Sequence, residues 1–296
     1  MDLPPARRHG GDGPRLARAL GLGPTEMLDL SASLNPFAPD VVRLAAAHLS
    51  SLRTYPDATE ATALLAEAIG VAHEQLLLTN GGAEAIALLA GEIGGRVREP
   101  EFSLHPRSGA PLWRSNPNNP TGRLAGSEEG ANVWDEAFYA LATGRFSAGD
   151  PAALAVVGSL TKTFACPGLR LGYVIASPKL IEALHRRQPE WSVSGLALAL
   201  LPGLLAVADL PGWARRIAAQ RVELVGLLGA HGLDPQPSDA NFVLCANASG
   251  LRELLLPHGV AVRDCASFGL GGQARLAVPD DGGLERLARA LQAMAP

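Results

Sequence analysis

Apolar residues recur three and four apart in "DVVRLAAAHLSSL" (40–52) and "TEATALLAEAIG" (59–70), which predicts two helices separated by the turn "RTYPDA". The first forty residues are punctuated by Gly and Pro and end in "LDLSASLNPFAPD", a short strand running into Asn-Pro. In "LLLTNGGAEAIALLAGEI" (76–93) a brief apolar run passes through Asn-Gly-Gly into helix-forming residues, a strand–loop–helix unit. From 98 to 158 the pieces are short, and "VREPEF" and "ALAVVGSL" read as strands of an α/β sheet. A helical region follows from 178 to about 231, broken by Pro189, Pro202 and Pro211. Three short strands, "NFVLCA" (241–246), "GVAVRDC" (259–265) and "ARLAVP" (274–279), then precede an amphipathic helix, "GGLERLARALQAM". Strands this short, spaced by helices, predict a larger α/β lobe with a small α+β lobe behind it.

Composition narrows the possibilities. The 296 residues are 47% hydrophobic and 18% charged, as expected of a folded chain that buries a sizeable core. A net charge of -4 supplies no general attraction for nucleic acid or an anionic membrane, so an anionic substrate needs local arginines. The most apolar stretch, "GLALALLPGLLAVA" (195–208), is too short to span a bilayer. "MDLPPARRHGGDGPRLARAL" has no apolar core of signal-peptide length. Three unevenly spaced cysteines with no CxxC pair suggest neither a disulfide framework nor a metal site, and cytoplasmic residence is the natural expectation.

Lysine is nearly absent. Among 25 Lys and Arg residues only Lys162 and Lys179 are lysines, so covalent amine chemistry would fall to one of these two. Lys162 follows the strand-like "ALAVVGSL", and Arg170 lies beyond a Cys-Pro-Gly turn. Asp135 ends another apolar stretch, which puts both side chains on the carboxyl edge of a sheet. "TNGGAEA" offers free backbone N–H groups and a positive dipole end for a phosphate. The two Asn-Pro steps of "SNPNNPTG" (115–122) hold asparagine side chains in projecting positions. A phosphate loop, a projecting asparagine, a strand-end acid, a strand-end lysine and a nearby arginine together suit pyridoxal 5′-phosphate. That cofactor needs a lysine amine, a carboxylate against its ring nitrogen, and hydrogen bonds to its hydroxyl and phosphate.

The chain resembles the fold-type-I pyridoxal-phosphate enzymes, in the branch of histidinol-phosphate aminotransferase and threonine-phosphate decarboxylase. "NPNNPTG", "DEAF" and "SLTKTFACPGLRLGY" carry the resemblance to the branch. "HGGD", "LDLSASLNP", "TYPDAT", "RRQPEWSVSGLA" and "VRDCASFGL…ARLAVP" resemble the decarboxylase of cobalamin synthesis. The resemblance implies an aspartate-aminotransferase-like large domain with a mostly parallel, shortened sheet (51–211) and a small α+β domain built from both termini (1–50 and 212–296). It implies Lys162 as the lysine that bonds the cofactor and Asp135 as the partner of the ring nitrogen. Asn119 would bond the ring hydroxyl. Gly81, Gly82, Ala83, Ser159 and Arg170 would hold the cofactor phosphate, with Tyr55 reaching in from a second subunit of a homodimer. Arg275 would clamp the substrate carboxylate, and Asn35 and His9 would line the substrate side. The reaction implied is release of carbon dioxide from L-threonine O-3-phosphate, giving 1-aminopropan-2-yl phosphate. The alternative is an aminotransferase acting on a phosphorylated substrate such as histidinol phosphate; a third reading is a degenerate scaffold.

The pattern also departs from its relatives. Only residues 106–115 separate His105 from Asn116, where relatives place a longer strand–helix–strand excursion, so at least one helix is expected to be missing. The stretch 123–133 is abbreviated too. His105 aligns with the aromatic residue that stacks on the cofactor ring, Ala83 lacks a hydroxyl common in the phosphate loop, and Pro279 stands where the decarboxylase often has a second arginine.

Overall fold

The computed structural model describes residues 4–23 and 25–294. Its strands are β1 (Leu28–Asp29), β2 (Leu76–Asn80), β3 (Arg96–Val97), β4 (Leu112–Ser115), β5 (Val133–Asp135), β6 (Ala155–Gly158), β7 (Leu171–Ala176), β8 (Asp234–Pro235), β9 (Phe242–Ala246), β10 (Val260–Ala261), β11 (Arg263–Asp264) and β12 (Ala274–Ala277). Six of them form one sheet in the order β2-β7-β6-β5-β4-β3. Neighbours from β6 to β3 are parallel, whereas β7 runs antiparallel to both β2 and β6. The carboxyl ends of β2, β4, β5 and β6 therefore open on one edge.

Both faces of this sheet are covered, which is why its strands are continuously apolar rather than alternating. Leu77, Val157 and Val174 point into one core with Ile86 and Leu89 of the helix Gly81–Ile93. Their neighbours Leu76, Leu78, Leu171 and Tyr173 point the other way, against Leu65, Phe164, Leu200 and Trp213. A separate core joins Leu30 to Leu224, Val243, Leu276 and Leu287 around the antiparallel sheet β11-β12-β9-β8. Phe37, Val41 and Leu44 pack on the large-sheet core that contains Trp213, although the sequence grouped them with the smaller lobe. The helix Leu210–Ala230 begins in that core, at Leu210 and Trp213, and ends in the third, at Leu224 and Leu228.

Several local expectations are revised. Pro202 sits inside the helix Gly195–Ala206 without ending it, and Pro211 lies in the first turn of the next helix, where its missing N–H costs nothing. Pro14 plays the same part in the helix Gly13–Leu20, which lies within the Gly- and Pro-punctuated N-terminal stretch. Of "VREPEF" only Val97 lies in a strand, the end of β3, and Pro100 has no N–H to give to a ladder. "GVAVRDC" divides into β10, paired in parallel with β1, and β11, paired with β12.

β3 and β4 are parallel, yet no helix lies between Val97 and Leu112. The return is made through glycine. A Cβ on Gly109, at φ +131°, would lie 2.3 Å from the backbone nitrogen of Gly95, so only glycine permits the approach that lets Gly95 N–H donate to Ser108 O at 2.9 Å. No helix lies between Arg123 and Val133 either. Among the described residues no single helix is long and apolar enough to cross a membrane. All three cysteines are buried and free.

Candidate active site

A cavity of about 210 Å³ opens at the carboxyl edge of the large sheet, the usual place for a ligand in an open α/β fold. Lys162, Asp135, Asn119, Ser159, Arg170 and Arg275 all line it, as do Gly82, Ala83 and His9. Gly81 adjoins it, Asn35 and His105 lie behind its wall, and Tyr55 lies away from it.

β6 ends at Gly158, and one helical turn, Leu160–Thr163, delivers Lys162 to the cavity. Asn35 braces that turn: its backbone N–H donates to Lys162 O at 3.1 Å and its side-chain amide to Thr163 O at 2.9 Å. This corrects the substrate-lining role given to Asn35, since a side chain spent on the backbone behind Lys162 is not presented to a ligand. Burial lowers the Lys162 amine to about 8, helped by repulsion from Arg275 and Arg170 and opposed by Asp29 and Asp135. A lysine so placed holds a useful fraction of neutral, nucleophilic amine at neutral pH.

Asp135 ends β5 with its Oδ1 accepting Ala137 N–H at 3.0 Å and its Oδ2 lying 2.9 Å from His105 Nε2. His105 is thus not a stacking residue. Its ring is fully enclosed between Asp135 and Glu101, and the aromatic ring that faces the cavity is Phe102, set edge-on to His105 at 5.7 Å. The two stand three positions apart, and the sequence could not say which of them turned inward.

The Asn-Gly-Gly segment has the expected strand–turn–helix form. Asn80 caps the helix Gly81–Ile93 without a side-chain bond, leaving first-turn amides of Gly82 and Ala83 free. Gly81 has φ +78°, and a Cβ there would come within 2.5 Å of Arg170 Nη2. Gly172 of β7 packs so closely that its Cβ would lie 2.5 Å from Gly81 C and Gly82 N. Two glycines therefore let helix, strand and guanidinium converge on one small concavity. Arg170 itself has φ +57°, a rare backbone state for a non-glycine residue, and its guanidinium reaches back to the loop at Gly81.

On the opposite wall stands an arginine pair. Arg263 of β11 and Arg275 of β12 are direct cross-strand partners and are 4% and 6% exposed. Sequence reading picked out Arg275 and missed Arg263; the strand register was the signal that could have found it, and it supplies the second arginine that Pro279 seemed to remove. Arg275 Nη1 donates to Asn119 Oδ1, while its Nε and the Nε and Nη1 of Arg263 have no partner. Arg263 Nη2 donates to Arg8 O and to Ser267 Oγ. Among the described residues no carboxylate lies in ion-pair range of Arg170, Arg263 or Arg275. Burial lowers Arg275 to about 10 and lowers Arg263 as well. His9 is lowered by burial and then by Arg263 and Arg8. Buried, unneutralised guanidiniums beside one another call for anions from outside the chain.

These features fit pyridoxal phosphate. The free amides, Ser159 and Arg170 form an anion cradle; Lys162 and Asp135 bracket the space for a ring; Phe102 and Asn119 flank it. Tyr55, 78% exposed and stacked on Trp191 at 4.6 Å, lies on the outer surface beyond reach of its own chain's cavity.

Comparison with known proteins agrees with this chemistry. Residues 106–291 match the family model for aminotransferase class I and II. Histidinol-phosphate aminotransferase 1 of Dechloromonas aromatica is 27% identical, over 94% of this chain and 92% of that one. The adenosylcobalamin biosynthesis bifunctional protein CobDQ of Leptospira interrogans is also 27% identical, over 90% of this chain but only 38% of its own length. The crystal structure of L-threonine-O-3-phosphate decarboxylase from Porphyromonas gingivalis shares the fold with a TM-score of 0.77 at 21% identity, covering 90% of this chain and 99% of that one. The chain is a member of the class I and II aminotransferase family, with an aspartate-aminotransferase-like fold and pyridoxal 5′-phosphate as its cofactor.

Proposed function

We propose that this protein is a decarboxylase of a small phosphorylated amino acid, L-threonine O-3-phosphate, yielding 1-aminopropan-2-yl phosphate and carbon dioxide. The observation that carries the reading is the arginine pair. Directly opposed cross-strand residues have Cβ atoms only about 5 Å apart, so two guanidiniums here serve two anions on adjacent carbons of one small molecule. A carboxylate on Cα and a phosphate on Cβ meet that description, whereas histidinol phosphate carries a single anionic group.

Arg275 takes the carboxylate, oriented by its bond to Asn119, and Arg263 with His9 takes the phosphate. Arg170, Ser159 and the amides of Gly82 and Ala83 hold the cofactor phosphate. Bound between Lys162 and Asp135, the cofactor supplies an electron sink for the bond broken at Cα. Lys162 would hold the cofactor through its amine and is placed to return a proton to Cα. Asp135 holds the ring nitrogen in its protonated form. Phe102, on the cavity wall, would cover the ring and exclude water. Tyr55 completes the phosphate site of a second copy in a homodimer, and the enzyme acts in the cytoplasm on the cobalamin pathway.

The second reading, an aminotransferase for a phosphorylated amine, draws on the histidinol-phosphate aminotransferases among the relatives. Incubation of the cofactor-loaded enzyme with threonine phosphate separates the two. Stoichiometric carbon dioxide without a 2-oxoacid supports decarboxylation. Strict dependence on a 2-oxoacid, with no carbon dioxide, refutes it.

A further inference from the structure

Behind Asp135 two buried acids enclose one imidazole. His105 Nε2 lies 2.9 Å from Asp135 Oδ2, and its Nδ1 lies 3.6 Å from Glu101 Oε2. Glu101 and His105 are each 2% exposed, and Nδ1 has no hydrogen-bond partner. Glu101 is itself rigidly held: Oε1 accepts Ser115 N–H at 2.9 Å and the Asn118 amide at 3.1 Å, and Oε2 accepts Ser115 Oγ–H at 2.6 Å and Phe102 N–H at 3.3 Å. The other charged groups facing this cluster are Glu99, whose carboxylate accepts Glu101 N–H, Arg107, which donates to the carbonyls of Glu101 and His105, and Lys162 across the cavity.

Proton counting constrains the trio. An imidazole carrying one proton must present a lone pair to one of the two acids. If that acid is ionised, two lone pairs face each other away from water, which is costly. The arrangement is relieved by one additional proton, on Nδ1 or on the Glu101 carboxyl, and burial favours the protonated form of Glu101.

We propose that Glu101 is a positioning residue that shares one proton with His105 Nδ1, so that the Nε2–H of His105 always points at Asp135 and Asp135 faces the cavity as the anion of the trio. The proton resides either on Glu101 Oε2 or on His105 Nδ1, which stand 3.6 Å apart, and the net charge of the trio is the same in both cases. In either position Nε2 keeps its proton and the three groups together carry one negative charge. Asp135 is thereby insulated from pH on its buried side. The consequence for the cofactor rests on the assignment of Asp135 to the ring nitrogen, but the tautomer is read on the apoprotein, so its outcome is independent of the substrate.

The test uses nitrogen-15 histidine spectra of the full-length apoprotein from pH 5 to 9, with His105 assigned by its loss in His105→Gln, together with cofactor affinity. In the wild type, Nε2 stays protonated throughout and Nδ1 shows a shift intermediate between its bare and protonated values. In Glu101→Gln the amide donates to Nδ1, so Nε2–H is retained, Nδ1 moves to the bare, hydrogen-bonded value, and cofactor affinity stays within two-fold. In Glu101→Leu the tautomers mix and affinity falls about ten-fold. An unprotonated Nε2 in the wild type overturns the proposal. So does a folded Glu101→Leu protein with the wild-type tautomer and affinity. If Glu101→Leu does not fold, the Nδ1 shift decides: no movement between wild type and Glu101→Gln overturns the shared proton, and movement to the bare value supports it.

Discussion

Lys162 can be tested before any substrate is known. With its amine lowered to about 8, about 9% of it is neutral at pH 7, against about 0.03% for a lysine at 10.5, so the reactive amine is enriched ~300-fold. The rate at which apoprotein captures pyridoxal phosphate, followed by stopped-flow absorbance, should rise about ten-fold from pH 7 to 9 and then level off. Lys162→Ala should abolish the fast phase, leaving only the exposed Lys179 and the chain amine to react. Arg275→Gln removes one of the two cations that disfavour the ammonium, so the curve should move to higher pH and the rate at pH 7 should drop. A capture rate that climbs with unit slope to pH 10, or one unaffected by Lys162→Ala, would refute the reasoning. The same shift carries a stability signature. Between pH 8 and 10.5 the unfolded chain binds more protons at this residue than the native one, so apoprotein stability should rise with pH in that window and Lys162→Met should remove the rise.

Other outcomes follow from the packing. Glu136 is raised to about 7 by burial, so between pH 4.5 and 7 the native state holds the extra proton and stability should fall by about 3 kcal/mol as pH rises; urea melts of Glu136→Gln at pH 5 and 8 should lose that slope. Gly172→Ala pushes a methyl into the backbone of Gly81 and Gly82, costing about 1–3 kcal/mol by denaturation and weakening pyridoxal phosphate far more than pyridoxal, which lacks the phosphate. Tyr55 and Trp191, with Val42 and Leu52, are exposed apolar groups; light scattering should find a dimer, and Trp191→Glu should yield monomers that bind cofactor weakly. Monomers with full cofactor affinity would sink the shared-site assignment.

Much of the edge of the large sheet was legible in the chain because each group there is announced by a local signal. Asp135 and Lys162 follow apolar runs, and Gly81 and Gly82 sit where a strand meets a helix. What escaped was decided by three-dimensional register. Arg263 pairs with Arg275 only because β11 lies antiparallel to β12. His105 departs from its expected place because the loop after β3 turns Phe102 toward the cavity and His105 under Asp135, a choice set by contacts with Trp113 and Asp135. Asn35 has a side chain suited to a ligand, and the backbone of a turn 128 residues away uses it.

The shortened middle bears on how little of this fold the chemistry requires. The chain lacks a helix between β3 and β4, at the far edge of the sheet from β2. Lys162, Asp135, Arg170 and the phosphate loop all derive from β2, β5, β6 and β7, which lie together at the other side and are packed on both faces. Only Phe102 and the Glu101–His105 pair come from the abbreviated loop, and these are the groups tied by several hydrogen bonds to β4 and β5. A helix would have fixed that loop by apolar burial; here Glu101 and His105 do so by polar contacts. The abbreviated region should therefore tolerate loss of an exposed charge, as in Arg98→Ala, with little change in cofactor affinity, and should fail when Ser115→Ala removes a partner of Glu101. Equal effects of the two substitutions on affinity would mean that the loop is held by its surface and not by the acid buried beneath it.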